Sequence, residues 1–258
     1  MPESKAREIL ASVDAVIDND HFVYTSGLHG RAYVNKDAVY PFTRKTSTLC
    51  LEIAMHFLES DIEVVLAPAV GGVALTQWVA FHLSEITERE VLALYAERSE
   101  SVIVATSPSE NYIRVKHGRV VYHHDYGDSE IGGTEVLQLF RGDQLVKKYD
   151  SLDLKRGYNK LIAGKRVLVV EDILNTGGTA LKAVNVARQN KGQVVAVAAL
   201  CNRGGVTVEM FGVEELYSLL NINMQVWTAA ECPMCEEGIP VNVALGKGRE
   251  FLESRDKK

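Results

Sequence analysis

The run Val167-Leu168-Val169-Val170-Glu171-Asp172-Ile173-Leu174-Asn175-Thr176-Gly177-Gly178-Thr179 constrains this chain more than any other stretch. Four consecutive apolar residues, mostly β-branched, read as a strand buried on both faces, the pattern of a parallel sheet. In open α/β sheets, ligands bind just beyond the carboxyl ends of the strands, where Glu171 and Asp172 would stand. Gly177 and Gly178 let the backbone approach a ligand closely and turn its N–H groups toward it. A helix opening near Thr179 adds its positive end, so the loop suits a phosphate. Carboxylates beside a phosphate cradle repel phosphate and need a different partner. The hydroxyls of a sugar, with a bridging divalent cation, supply one. A phosphorylated sugar whose diol faces the two acids satisfies every part of the motif. A Walker-type nucleotide loop fits poorly, because no Lys follows Gly178 and Glu-Asp precedes the glycines. The plain alternative is a strand ending in a charged turn before an ordinary helix.

Hydrophobic spacing organises the rest. It predicts a helix over 3–18, short strands over 21–24 and 32–35 around a polar loop at 25–31, and a second helix over 43–60. A buried strand over 63–67 leads through the tight loop Ala67-Pro68-Ala69-Val70-Gly71-Gly72 into a helix over 73–83, followed by a strand over 91–96. Farther on, the reading is strand 166–170, helix 179–189, strand 194–200, a short helix over 214–220 and an edge strand over 224–227. Alternating strands and helices imply crossover connections and a mostly parallel sheet flanked by helices, an α/β fold. Residues 99–153 break the alternation. There, 111–122 reads as a β-hairpin turning at His117-Gly118, and 135–140 with 144–146 as another turning at 141–143.

The Ala67–Gly72 loop is a second anion candidate, with a proline and two glycines between a strand and a helix. With the Thr176–Thr179 loop it places two anion sites at one edge of the sheet. A sugar carrying a 5-phosphate at one end and a pyrophosphate at the other has that shape.

Together these motifs resemble the phosphoribosyl-pyrophosphate (PRPP) signature of the type I phosphoribosyltransferases. His21 through Lys36 is similar to the N-terminal hood segment of the orotate enzymes of that family. The resemblance implies that Tyr33 and Val34 pack on the base, with Lys36 a nearby cation. Cys201-Asn202-Arg203-Gly204-Gly205 falls where those enzymes carry an arginine for the carboxylate of the base. Guanidinium matches carboxylate geometry, which supports Arg203 in that role. Asn202 stands where an acid is commoner. Tyr95–Arg98 and Leu154–Tyr158 are similar to segments before the signature strand, which makes Arg98 and Arg156 candidates for pyrophosphate contacts. Glu231–Pro240 resembles a C-terminal stretch of one group of orotate enzymes. The resemblance spans 20–98 and 154–245.

The family's architecture implies one domain over 1–258. It has an N-terminal helix and hood segment over 1–42 and a C-terminal hood or tail over 229–258, while residues 99–153 read as a β-rich insertion with no counterpart in the resemblance. The implied reaction moves 5-phosphoribosyl from PRPP to orotate, giving orotidine 5′-phosphate and pyrophosphate in pyrimidine nucleotide synthesis. Glu171 and Asp172 would hold the sugar diol. Ala69, Val70, Gly71 and Gly72 would hold the pyrophosphate, and Asn175, Thr176, Gly177, Gly178 and Thr179 the 5-phosphate. Mg2+ would be held mainly by substrate oxygens with no direct protein ligand, and the assembly would be a homodimer. Arg114–Gly118 is distantly similar to the end of the family's mobile catalytic loop, although the hairpin reading competes with it. Two alternatives stand beside this reading: transfer to a purine or another base, and a non-catalytic PRPP-binding regulator.

Composition narrows the partners. A net charge of −6 over 258 residues argues against a nucleic-acid or anionic-membrane surface. No apolar run approaches the length of a bilayer-spanning helix. The first residues lack the basic-then-apolar order of a secretion signal, so a cytoplasmic location is expected. Of the four cysteines, Cys232 and Cys235 have the spacing of half a zinc site. No second pair stands near them in sequence, so a packing or turn role is the expectation. His123-His124-Asp125 is not expected to form a metal cluster, because adjacent strand residues face opposite ways.

Overall fold

The structure, a computed structural model, describes residues 3–24, 26–105, 112–116, 119–123, 135–136, 139–141, 144–146, 148–222 and 225–255. The chain begins with α1 (Glu3–Ala11), β1 (Val16–Ile17), β2 (Phe22–Val23), β3 (His29–Gly30), β4 (Tyr33–Val34) and α2 (Thr43–His56). The units β5 (Val64–Pro68), α3 (Val73–Thr87) and β6 (Leu92–Ala105) follow. Next come β7 (Tyr112–Lys116), β8 (Arg119–His123), β9 (Glu135–Val136), β10 (Leu139–Arg141), β11 (Gln144–Val146) and β12 (Lys148–Asp153). The remainder is α4 (Tyr158–Ile162), β13 (Arg166–Leu174), α5 (Gly178–Gln189), β14 (Gln193–Asn202), β15 (Glu215–Asn221), β16 (Val226–Trp227), α6 (Pro233–Glu236) and α7 (Gly248–Arg255).

The central sheet runs β15-β14-β13-β5-β6-β12-β9, with β7 also on β6. Strands β15, β14, β13, β5 and β6 are mutually parallel, as the alternation of strands and helices predicts. The strand faces explain why. Val65, Ala67, Leu168 and Val170 join the core under α2 and α3. Their neighbours Val64, Leu66, Val167 and Val169 join the opposite core, under α5. Period-two alternation of apolar with apolar is a strand covered on both sides, and each such side chain contributes about 1.5–3 kcal/mol on full burial. From β5 the chain passes through α3 to β6 on one side. From β13 it passes through α5 to β14 on the other. The winding therefore reverses between β5 and β13, and a crevice opens at their carboxyl ends.

Several expectations are corrected. The first helix ends at Ala11 rather than continuing to 18. Asp14 takes a left-handed φ of 54°, and the β-branched pair Val16–Ile17 then pairs with β4. Within the segment 25–31, read as a loop, His29–Gly30 forms a strand between β2 and β16. Residues 215–221 form a strand parallel to β14 instead of a helix. Leu219 and Leu220 face one core while Leu216 meets the other, and a short apolar run of that kind fits either period. Of the edge strand over 224–227, Val226–Trp227 pairs with β3 outside the central sheet, and Met224 lies outside the described residues.

Beyond Ala96, β6 continues to Ala105 and pairs antiparallel with β12 and β7. The β7–β8 pairing, with Lys116 opposite Arg119, is the first expected hairpin. In the second, Leu139 pairs with Val146, whereas Glu135–Val136 pairs with β12 instead. The turn residues His117, Gly118, Gly142 and Asp143, and His124 and Asp125, lie outside the described residues.

Candidate functional site

Glu171 and Asp172 lie near the carboxyl end of β13, which extends to Leu174. Both are buried. One Asp172 oxygen meets Lys36 Nζ at 2.9 Å and lies 3.5 Å from the Tyr40 hydroxyl. The other accepts the Ile173 N–H at 2.7 Å. Glu171 is less well provided for: Oε1 accepts the Asp172 N–H at 3.3 Å, and Oε2 has no hydrogen-bond partner. Burial pushes the Glu171 carboxyl up to about 8, the Asp172 charge adds to the rise, and Lys36 opposes it. Burial acts to lower Lys36, but the hydrogen bond and charge of Asp172, with help from Asp37, outweigh it and hold the ammonium above its ordinary range. The pair is thus unequal, with one acid neutralised by a lysine and the other holding a proton.

The two glycine-bearing loops flank this pair. Residues 69–72 follow β5 and run into α3, whose N-cap is Gly72. Thr176 and Gly177 follow β13 and run into α5, whose N-cap is Gly177 at φ +73°, a conformation that favours glycine. Because β5 and β13 are adjacent and parallel, both helix N-termini rise from the same edge. A Cβ at Gly71 would collide with Asp172 Oδ2 and come within 2.9 Å of Lys36 Nζ, so the first loop lies directly against the acid. The Ala69 N–H is bonded to Ala96 O, and Val70 is exposed.

A cavity of about 1260 Å³ opens beside Asp172. Tyr33, Val34, Lys36, Asp172, Asn175, Thr176 and Arg203 all line it. Arg203 follows β14, where its N–H and that of Gly204 bond to Leu174 O. Its Nε donates to Asn175 Oδ1, tying the guanidinium to the loop after β13. Asn202 closes the turn in both directions: its amide donates to Val206 O at 2.7 Å, and its Oδ1 accepts the Val206 N–H at 3.1 Å. That pattern needs a donor and an acceptor on one side chain.

Glu171, residues 69–72 and 177–179, Arg98 and Arg156 stand apart from the cavity lining. Arg98 lies two residues past Ala96, the partner of Pro68, which puts it near the 69–72 loop. Arg156 donates to Glu97 Oε1 at 2.7 Å, and Lys155 joins the same carboxylate at 3.3 Å. Sequence reasoning missed Tyr40, Tyr24, Leu28, Gly246 and Lys247. The last four also line the cavity. Tyr40 had one available signal, an aromatic four residues after Lys36. The C-terminal pair, within the stretch read as a hood or tail, is brought there by a backbone bond between distant segments, from the Lys247 N–H to Val23 O. Cys232 and Cys235 of the same C-terminal stretch stand beside His21 and His29.

Comparison with known proteins agrees with this geometry. The pattern of the phosphoribosyl transferase domain matches residues 41–210. The chain is 26% identical over 221 residues to an orotate phosphoribosyltransferase of Caldicellulosiruptor bescii, covering 86% of each chain. It is 27% identical over 241 residues to the enzyme of that name from Caldanaerobacter subterraneus, covering 93% of this chain and 96% of the other. In fold it is similar to the crystal structure of Mycobacterium tuberculosis orotate phosphoribosyltransferase in complex with Fe(III) dicitrate. That likeness has a TM-score of 0.52 at 17% identity, over 85% of this chain and 95% of that one. With the domain pattern running through β5, β13 and both loops at the winding reversal, the chain belongs to the phosphoribosyl transferase domain family.

Proposed function

We propose that this protein transfers 5-phosphoribosyl from PRPP to a ring nitrogen of orotate, releasing pyrophosphate. The observation that carries the reading is the meeting of an acid pair, two helix N-termini and Arg203 around one crevice. Asp172 and Glu171 hold the ribose hydroxyls, and the Asp172 charge stabilises the positive character that develops on the sugar as the C1–oxygen bond breaks. The loop Asn175–Thr179 receives the 5-phosphate through its N–H groups, and the loop Ala69–Gly72 receives the pyrophosphate. Arg98 and Arg156 border the pyrophosphate side, and Arg156 reaches it by exchanging Glu97 for the leaving group. Arg203 takes the carboxylate of the base, with Tyr33 and Val34 against its ring. Catalysis is then mainly positioning in a site shielded from water.

Hard oxygen donors at the crevice, Glu171 Oε2 without a partner among them, suit Mg2+ held chiefly by the oxygens of PRPP. When bound, the cation would neutralise charge on the departing pyrophosphate. A homodimer in the cytoplasm completes the proposal. No helix among the described residues is long and apolar enough to cross a membrane.

A turnover assay with PRPP and Mg2+, comparing orotate with adenine, hypoxanthine and xanthine, tests the proposal. Pyrophosphate release with orotate alone is the expected result. Release with a purine and none with orotate would overturn the acceptor assignment. PRPP binding without turnover of any base would make the protein a sensor rather than an enzyme.

A further inference from the structure

The sequence shows half a metal site, and the fold supplies the other half. His21 directly precedes β2, and His29 lies in β3. Cys232 is the N-cap of α6, and Cys235 lies in that helix. One ligand atom from each residue falls within 4.8 Å of all the others. His21 Nε2 lies 3.6 Å from Cys232 Sγ and 3.8 Å from Cys235 Sγ. His29 Nδ1 lies 3.4 Å from Cys235 Sγ and 2.8 Å from His21 Nε2.

These spacings can be compared with a tetrahedral zinc centre. Zinc–sulfur bonds of about 2.3 Å and zinc–nitrogen bonds of about 2.0–2.1 Å give nitrogen–sulfur edges of about 3.6 Å and a nitrogen–nitrogen edge of about 3.3 Å. The three nitrogen–sulfur distances straddle that value. The two imidazoles stand closer than the ideal edge because they share a hydrogen bond.

Proton placement leads to the same conclusion. His21 Nδ1 lies 2.7 Å from Ile239 O. A carbonyl only accepts, so Nδ1 carries the hydrogen and Nε2 presents a lone pair to the cluster. That backbone anchor is the usual support of a metal-ligating imidazole. His29 Nδ1 must then donate to His21, which strands His29 Nε2 as a lone pair. That atom is buried with no hydrogen-bond partner, and an unpartnered buried polar atom is costly. A metal bond at Nδ1 moves the hydrogen to Nε2, at the ring that meets Phe251 edge-on at 4.7 Å. Two thiolates with two neutral imidazoles also cancel the charge of a divalent ion, as burial requires. His21, His29 and Cys232 are buried, with Cys235 partly so.

We propose that His21, His29, Cys232 and Cys235 bind one zinc ion in a closed, four-ligand structural site. The site joins segments more than 200 residues apart, with 211 positions separating Cys232 from His21. Both segments contribute to the cavity wall: Tyr24, Leu28 and Tyr33 from one, Gly246 and Lys247 from the other. The ion staples that wall from both sides.

Elemental analysis of the full-length protein after zinc incubation and desalting tests the site, and it needs no substrate. One zinc per chain is expected. Cobalt added to chelator-stripped protein should give tetrahedral visible bands with thiolate charge transfer, and chelation should lower Tm by several degrees. Cys235→Ser and Cys232→Ser should abolish stoichiometric zinc, while Cys50→Ala should retain it. The wild-type cobalt spectrum decides the matter should either serine variant fail to fold. Absence of stoichiometric metal, zinc that survives both serine substitutions, or octahedral cobalt without thiolate bands would each overturn the proposal. So would a Cys232–Cys235 disulfide in the freshly purified protein.

Discussion

Replacing Glu171 with Gln tests whether the crevice stores a proton. The carboxyl is held at about 8 against an ordinary value of 4.5, by burial first and by Asp172 second. In the unfolded chain both influences vanish. Between these two pH values the folded protein binds one proton more than the unfolded chain, so its stability falls as pH rises. The slope for one proton is about 1.4 kcal/mol per pH unit. Across the whole window the loss is roughly 5 kcal/mol, and it levels off above the folded value. Glu171→Gln keeps the shape of the side chain and removes the titration. Urea unfolding of both proteins from about pH 5 to about pH 9 measures the difference. The variant should gain on the wild type steadily as pH rises, by roughly 3–5 kcal/mol in all. Parallel profiles, with a constant gap between the two proteins, would refute the buried proton. A cation near the carboxyl draws its pKa down. PRPP with Mg2+ should therefore release a proton from the wild type at neutral pH and none from the variant, which calorimetry in buffers of different ionisation enthalpy detects.

Three further substitutions probe the other parts of the crevice. Gly71→Ala drives a methyl into Asp172 Oδ2 and toward Lys36; PRPP affinity by calorimetry should drop at least ~10-fold, with a stability loss of about 1–3 kcal/mol. Arg203→Ala should raise KM for orotate by about 10- to 100-fold while kcat changes little, the mark of lost ground-state binding; a fall in kcat at constant KM would remove it from the base site. Asn202→Asp keeps the acceptor for the Val206 N–H and loses the donor to Val206 O. It should cost about 1–2 kcal/mol in thermal unfolding, and an unchanged Tm would show that this pair does not hold the turn.

What was legible in the sequence shares a physical property: it is specified by neighbours in the chain. Val167 to Thr179 forms strand, acids, loop and helix start within thirteen residues, and each depends on local geometry. The parallel sheet was legible because β5 and β13 are apolar on both faces. The failures came where distant contacts decide. Residues 215–221 are a strand because the open edge of β14 recruits them, although their apolar spacing fits a helical turn. His29 and Gly30 are a strand because β2 and β16 lie on either side. The partners of Cys232 and Cys235 were invisible for the same reason, and so was Lys247 in the cavity wall.

The same division separates the two halves of the site. The acid pair and the two phosphate loops assigned to PRPP sit on or directly after β5 and β13, with Arg98 on β6 and Arg156 before α4. The wall assigned to the base is built from short strands near one end of the chain and from loops near the other, with Arg203 reaching it from β14. Those short strands have little core of their own, so their position depends on the β3–β16 pairing and on the His21, His29, Cys232 and Cys235 cluster. Loosening that cluster should therefore weaken the base far more than PRPP, since its backbone anchor and ring contact are Ile239 and Phe251. Equal losses for both ligands after chelation would mean that the wall and the phosphate loops move as one body. In that case the sheet edge and its cover are a single unit, and the base wall has no independent support.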